Sequence, residues 1–151
     1  MKSWFVFPSP VGFLRLEEEN GGIVSLSWRG PPARTPYSSA QQDANLWLED
    51  YFQGHYRPID FPLRSEGTEF QMQVWQLLVQ VPPREVTSYG DLAKTLGTAP
   101  RAVGAACRAN PLPIIVPCHR VVAANGSLGG YSGGKGLETK RKLLQLESAL
   151  D

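Results

Sequence analysis

The sequence predicts a two-part fold, an α/β unit over residues 1–64 followed by a mostly helical unit over residues 65–151. Three observations carry that expectation. Short runs of aromatic and branched residues crowd the start of the chain, separated by turn chemistry. The segment 56–66 has prolines and no hydrophobic period, which places a boundary there. Beyond it, apolar residues recur at helical spacing between capping and stopping signals.

In chain order, the runs 4–7, 12–16 and 23–28 are divided by Pro8-Ser9-Pro10 and Asn20-Gly21-Gly22, so they form an antiparallel meander. After a Pro-rich loop at 30–36, Ala44, Trp47, Leu48, Tyr51 and Phe52 make one stripe of a helix. Ser39 with Gln42 offers it a capping box and Gly54 a stop, while His55 is assigned to the surface near its end. The second unit opens on another capping box, Thr68 with Gln71. The helix that follows has the apolar face Phe70, Val74, Leu77, Leu78 and Val81, and ends at Pro82-Pro83. A short helix over 91–96 is stopped by Gly97, and Thr98-Ala99-Pro100 starts another that runs to about Asn110. Two helices one short turn apart make a helix-turn-helix pattern. The second carries Arg101 and Arg108 and is rich in small residues, Ala102, Gly104, Ala105 and Ala106, which admit close approach by a ligand or by a neighbouring helix. The last helix is expected to turn Leu137, Leu143, Leu144 and Leu146 inward and Lys140, Arg141 and Lys142 mostly outward, with Glu147 near its end.

Composition excludes several classes. With 151 residues, 42% of them hydrophobic, the chain can bury one good core or two small ones and is neither disordered nor fibrous. Two cysteines make no disulfide framework, no initial run resembles a signal sequence, and no stretch approaches the roughly 18 apolar residues of a membrane span. An intracellular protein with reduced thiols and no membrane partner is expected. The net charge of +1 hides an asymmetry: from 92 to 142 there are eight basic residues against Glu138 alone, which is either a solvated basic face or the mark of a polyanionic partner.

Chemistry concentrates in the run 111–122, Pro-Leu-Pro-Ile-Ile-Val-Pro-Cys-His-Arg-Val-Val, which reads as a buried strand or strand-like segment. Cys118 within it is open to two readings, a small core hydrophobe or a reactive thiol. Adjacent His119 and Arg120 supply the base or cation that lowers a thiol pKa and makes thiolate. Cys107, Cys118, His55 and His119 match no zinc spacing, so no metal is expected. The stretch 129–135 satisfies G-x-x-x-x-G-K. However, Gly136 stands where Ser or Thr should bind magnesium, and Ser127-Leu128 is too short for the required strand. A loop that shapes a pocket, with Tyr131 and Ser132 as its useful side chains, fits better.

Pro117-Cys118-His119-Arg120-Val121-Val122 is preceded by Arg101-Ala102-Val103-Gly104 and Asn110-Pro111 and followed by Gly129-Gly130-Tyr131-Ser132-Gly133-Gly134. With Val74-Trp75, Thr87-Ser88-Tyr89-Gly90 and Leu92-Ala93 upstream, and more weakly Ser9-Pro10-Val11-Gly12, this pattern resembles the O6-alkylguanine-DNA alkyltransferase family over nearly the whole chain.

The resemblance implies a ribonuclease-H-like N-terminal domain and a helical C-terminal domain with a winged-helix-like helix-turn-helix. It implies one irreversible transfer, without cofactor, of an alkyl group from O6 of guanine in double-stranded DNA to Cys118. By the same likeness His119 deprotonates Cys118 through a water, Glu147 orients His119, and Tyr89 rotates the target phosphate and donates a proton toward the leaving guanine. Arg101 would fill the space of a flipped base. Ala102, Gly104, Ala105, Arg108 and Arg120 would contact DNA through the minor groove, and Asn110 would be the hinge before the cysteine segment. Pro113, Val121, Tyr131, Ser132 and Lys140 would join Tyr89 around the pocket. The protein is expected to act as a monomer, with cooperative loading on DNA left open, in the cytoplasm or, in a eukaryote, the nucleus. The rival readings are a non-enzymatic relative that binds alkylated DNA, against which Cys118 argues, a helix-turn-helix regulator, and a Cys-His hydrolase.

Overall fold

Alternation along the first strands decides the first sheet. In the structure, a computed structural model that describes residues 2–29 and 34–148, β1 (Lys2–Ser9), β2 (Gly12–Glu19) and β3 (Gly22–Ser27) form an antiparallel meander in that order. Phe5 stands opposite Leu16 and Phe7 opposite Leu14, and Leu16 in turn faces Leu26. These side chains are buried together, and helix α1 (Ser39–Phe52) covers them with Ala44, Trp47, Leu48 and Tyr51. The N-cap of α1 is Ser38, whose Oγ accepts from the Gln41 amide at 3.1 Å, one residue earlier than the expected Ser39 with Gln42. Buried Gln41 explains the shift, because its side chain also accepts from the Tyr37 amide and donates to Ser3 and Glu18. The loop expected at 30–36 lies partly outside the described residues.

The chain divides after Glu66 into two compact units. In the second, Thr68 and Gln71 close both halves of the expected capping box at the start of α2 (Glu69–Val79), worth about 1 kcal/mol. Val74, Trp75 and Leu78 are the buried face of α2. Next, β4 (Thr87–Ser88) runs directly into α3 (Tyr89–Leu96), capped by Ser88 and ended by Gly97 at φ 67° in the left-handed region. Pro100 opens α4 (Pro100–Arg108), where its missing amide costs nothing. The three helices pack on one another through Leu78, Leu92, Val103 and Ala106. The remaining elements are β5 (Val121–Val122), paired in parallel with β4, and α5 (Leu137–Leu146). No helix among the described residues is long and apolar enough to cross a membrane.

Two expectations are corrected here. The run 111–122 is not a strand until Val121. Prolines 111, 113 and 117 have no amide to give a ladder, Ile114 takes φ 75°, Val116 N–H turns back to the Leu112 carbonyl, and Cys118–Arg120 form a 3-10 turn. On the last helix, Leu143 and Leu144 are buried as expected, but Leu137 and Leu146 are exposed and Lys140 is fully buried. The inward stripe is Thr139, Lys140, Leu143, Leu144 and Glu147, a single helical face that includes a lysine.

Candidate active site

Everything that converges on Cys118 lies within the second unit. Asn110, just past α4, holds the cysteine turn in shape: its Nδ2 donates to the Val116 carbonyl at 2.8 Å and its Oδ1 accepts from the Leu112 amide at 2.9 Å. That clamp fixes a segment which, with three prolines, could not be fixed by a ladder. The parallel pairing of Thr87 with Val121 and Ser88 with Val122 then sets the start of α3, and hence Tyr89, beside the residues that follow the turn.

A cavity of about 310 Å³ opens here, lined by Tyr89, Pro100, Arg101, Gly104, Cys107, Arg108, Cys118, Gly130, Tyr131 and Ser132. The structure therefore brings Tyr89, Arg101, Gly104, Arg108, Cys118, Tyr131 and Ser132 together at one pocket. Pro113, Val121 and Lys140 are not in its lining. Val121 is fully buried, Pro113 is half-buried, and Lys140 stands behind the wall. Its Nζ donates to the carbonyls of Val121, Leu128 and Gly130 and approaches the Tyr89 hydroxyl at 3.5 Å. Lys140 is thus a strap that ties the loop after β5 to α5, and burial pushes its pKa down. Gly129, at φ 72°, lets the same loop touch Tyr89: a Cβ there would sit 2.9 Å from the ring.

Behind the cysteine lies a buried set of ionisable groups. His119 Nε2 is 2.6 Å from Glu147 Oε2. Arg120 donates from Nε to Glu147 Oε1 at 2.8 Å and from Nη2 to Oε2 at 3.0 Å, and from Nη1 to the Val81 carbonyl at 2.6 Å. Burial alone would raise the Glu147 carboxyl, but these hydrogen bonds outweigh it and hold the pKa at about 2. An ionised carboxylate can only accept, so His119 donates from Nε2 and Nδ1 is left as the lone-pair nitrogen. That Nδ1 is buried and has no hydrogen-bond partner among the described residues. Burial lowers the His119 pKa, against the pull of Glu147, so the ring rests neutral and ready to accept a proton.

Two further expectations change. Arg120 is no DNA contact, because its guanidinium is spent on Glu147 and Val81 inside the fold. The resting Cys118 is a thiol rather than a thiolate: burial raises its pKa, and the Asn110 amide and the Lys140 charge oppose that rise without reversing it. A base is then required, and neutral His119 is the neighbour able to supply one. Tyr89 is also pushed up to about 12 by burial, which keeps it a proton donor at neutral pH.

Of the remaining expected DNA contacts, Arg101, Ala105 and Arg108 share the exposed face of α4, whereas Ala102 and Gly104 are half-buried. Two residues escaped sequence reasoning. Cys107, weighed from sequence only as a metal ligand, shares the cavity with Cys118, and its spacing of three from Gly104 is the available signal. Trp75, skipped in the apolar count for α2, is buried and donates from Nε1 to the Ala106 carbonyl at 2.9 Å, holding α4 against α2. Among the described residues no three His, Cys, Asp or Glu side chains converge as metal ligands do.

Fold and site together define a protein of an α/β unit and a helical unit, the latter carrying a thiol, imidazole and carboxylate at the base of a pocket. Residues 69–149 match the family model described as 6-O-methylguanine DNA methyltransferase, DNA binding domain. The methylated-DNA–protein-cysteine methyltransferase of Methanosarcina acetivorans is 40% identical over 153 residues, which cover 95% of this chain and 97% of that one. The enzyme of the same name from Metallosphaera sedula is 49% identical over 147 residues, 95% and 92% of the two chains. The crystal structure of Mycobacterium tuberculosis O6-methylguanine methyltransferase superposes with a TM-score of 0.85 at 38% identity, covering 99% of this chain and 94% of that one. The OGT of that organism in complex with DNA gives 0.85 at 40% identity, covering 97% and 92%. The chain belongs to the 6-O-methylguanine DNA methyltransferase family.

Proposed function

We propose that this protein repairs DNA by direct reversal, moving an alkyl group from O6 of guanine in duplex DNA to Cys118 once per molecule. The observation that carries the reading is a buried thiol at the base of an open cavity, next to a neutral histidine whose other nitrogen is held at 2.6 Å by an ionised glutamate. In the reaction the Cys118 proton passes to His119 Nδ1 through a water, sulfur attacks the alkyl carbon, and the C–O6 bond breaks as the S–C bond forms. Tyr89 gives its hydroxyl proton to the departing guanine and recovers one, through solvent, from the imidazolium. Protons and electrons balance without a cofactor. The thioether has no route back, so the protein is consumed.

The target oxygen lies inside the base stack, so the nucleotide is flipped out, at a cost of a few kcal/mol. Exposed Arg101, at the first turn of α4 and on the rim of the cavity, takes the vacated place in the stack. The face formed by Arg101, Ala105 and Arg108 lies in the minor groove with α3 and α4 as the helix-turn-helix of a winged-helix-like unit, and Asn110 is the hinge behind it. The N-terminal unit is ribonuclease-H-like. The protein works as a monomer wherever the cell keeps its DNA. Titrating a fixed amount of protein with duplex containing O6-methylguanine tests the reading. Repaired guanine is expected to plateau at the molar amount of protein, and continued turnover, or sequence-dependent binding with no repair, overturns it.

A further inference from the structure

The sequence offered Arg120 as a surface contact to DNA, but its guanidinium is enclosed, and its side chain is only 8% exposed. Three of its hydrogen bonds have distinct ends. Nε and Nη2 take one Glu147 oxygen each, and Nη1 takes the carbonyl of Val81, just beyond α2. Glu147 Oε2 is therefore shared between Arg120 at 3.0 Å and His119 at 2.6 Å. We infer that Arg120 is a positioning residue for the transfer reaction, pinning both oxygens of Glu147 so that the carboxylate orients His119 without drawing a second proton onto it.

The inference rests on the proposed transfer chemistry and deepens it. A buried carboxylate whose only partner is an imidazole stabilises the imidazolium, and an imidazolium is no base for Cys118. A buried guanidinium already balancing that carboxylate removes the incentive, because a charged His119 would then face a cation as well as an anion. The groups around His119 are Glu147 and Lys140, from the last helix and its end, and Arg120 and the Cys118 thiol on its own turn. The phenol of Tyr131, in the loop before α5, feels the charge of Glu147. Both lysine and arginine charges oppose a protonated His119, and Arg120 is the one hydrogen-bonded to the shared oxygen. Lysine could not replace it fully, since one ammonium does not present the planar pair of donors that spans a carboxylate while a third reaches Val81.

The test is an NMR titration of the full chain labelled with 15N-histidine, in which His55 is the other imidazole. In the wild type, His119 is expected to keep its proton on Nε2 and to titrate below the ordinary histidine value of 6.5. Its midpoint is expected to rise in the order Arg120, R120K, R120Q, by about one pH unit or more at the end of the series. The acid limb of the methyl-transfer rate should move to higher pH by the same amount, while affinity for undamaged duplex changes less than twofold. Where R120Q does not fold, R120K alone must show a raised midpoint, because its single ammonium holds Glu147 less well. An unmoved His119 midpoint in a folded variant overturns the inference, as does a tenfold loss of duplex affinity, which would return Arg120 to the DNA surface. The titration needs no transfer, so it still reads out if the transfer reading itself fails. Wild-type transfer with an unmoved midpoint would refute only the role of Arg120.

Discussion

His119 Nε2 and Glu147 Oε2 lie 2.6 Å apart with both side chains sealed from solvent, and this short contact decides which ring nitrogen is free to act as a base. E147Q keeps an oxygen for the ring but leaves the Arg120 charge buried without its anion. Breaking such a pair costs about 3–5 kcal/mol, so E147Q is expected to lose that much in urea unfolding at pH 7. Its transfer rate should fall about 100-fold, the scale of a general base that has lost its orientation.

Stability should decline toward acid in two stages. The His119 pKa is lowered in the folded state from 6.5, so its neutral form favours folding above that pH. The contribution is lost as pH falls below 6.5 through the folded-state value, because the unfolded chain takes up the proton first. Glu147 is lowered from 4.5 to about 2, so its contribution is present above 4.5 and disappears between those values. The second stage is worth about 3 kcal/mol. Urea midpoints measured from pH 7 to pH 2 should show both stages in the wild type, with the lower one absent in E147Q.

Arg101→Ala should separate flipping from chemistry. Arg101 is exposed on the rim of the cavity, whereas His119, Arg120 and Glu147 are buried. Transfer from duplex DNA is expected to fall at least 100-fold, the scale of losing the few kcal/mol that hold a base out of the stack. Transfer from free O6-benzylguanine should change less than threefold. Equal losses on the two substrates would assign Arg101 to the pocket chemistry instead.

Gly129→Ala should act through Tyr89. The glycine takes φ 72°, and its Cβ would stand 2.9 Å from the Tyr89 ring, so the substitution strains the loop and displaces the phenol. A loss of about 1–3 kcal/mol in stability is expected, with slower transfer from both duplex and free base. An unchanged rate would remove Tyr89 from the proton path.

The legible parts of this molecule were those fixed by local spacing. The capping box of Thr68 and Gln71, the Gly97 stop and the meander of the first strands each depend on residues a few positions apart. The cysteine turn was misread because its branched residues favour strands, and only the three missing proline amides and the Asn110 clamp select the turn. Lys140 was misread for a different reason. It sits in a Lys-Arg-Lys run that looks solvated, and the carbonyls that bury it come from Val121, Leu128 and Gly130, set beside it only by the fold. Arg120 is the same case, with its partners at Val81 and Glu147. The pairing of His119 with Glu147, 28 positions apart, came from family likeness rather than from any local pattern.

The account stands on which sulfur receives the alkyl group, because Cys107 and Cys118 share one cavity. Burial raises both thiols, Cys107 to about 12, but Cys118 alone adjoins His119 in the chain. Peptide mapping by mass spectrometry, after reaction with duplex carrying a single O6-methylguanine, distinguishes the two. One methyl per molecule is expected, on the peptide containing Cys118, and none after Cys118→Ala in a protein that still binds DNA. A methyl on Cys107, or repaired DNA beside unmodified protein, would contradict it.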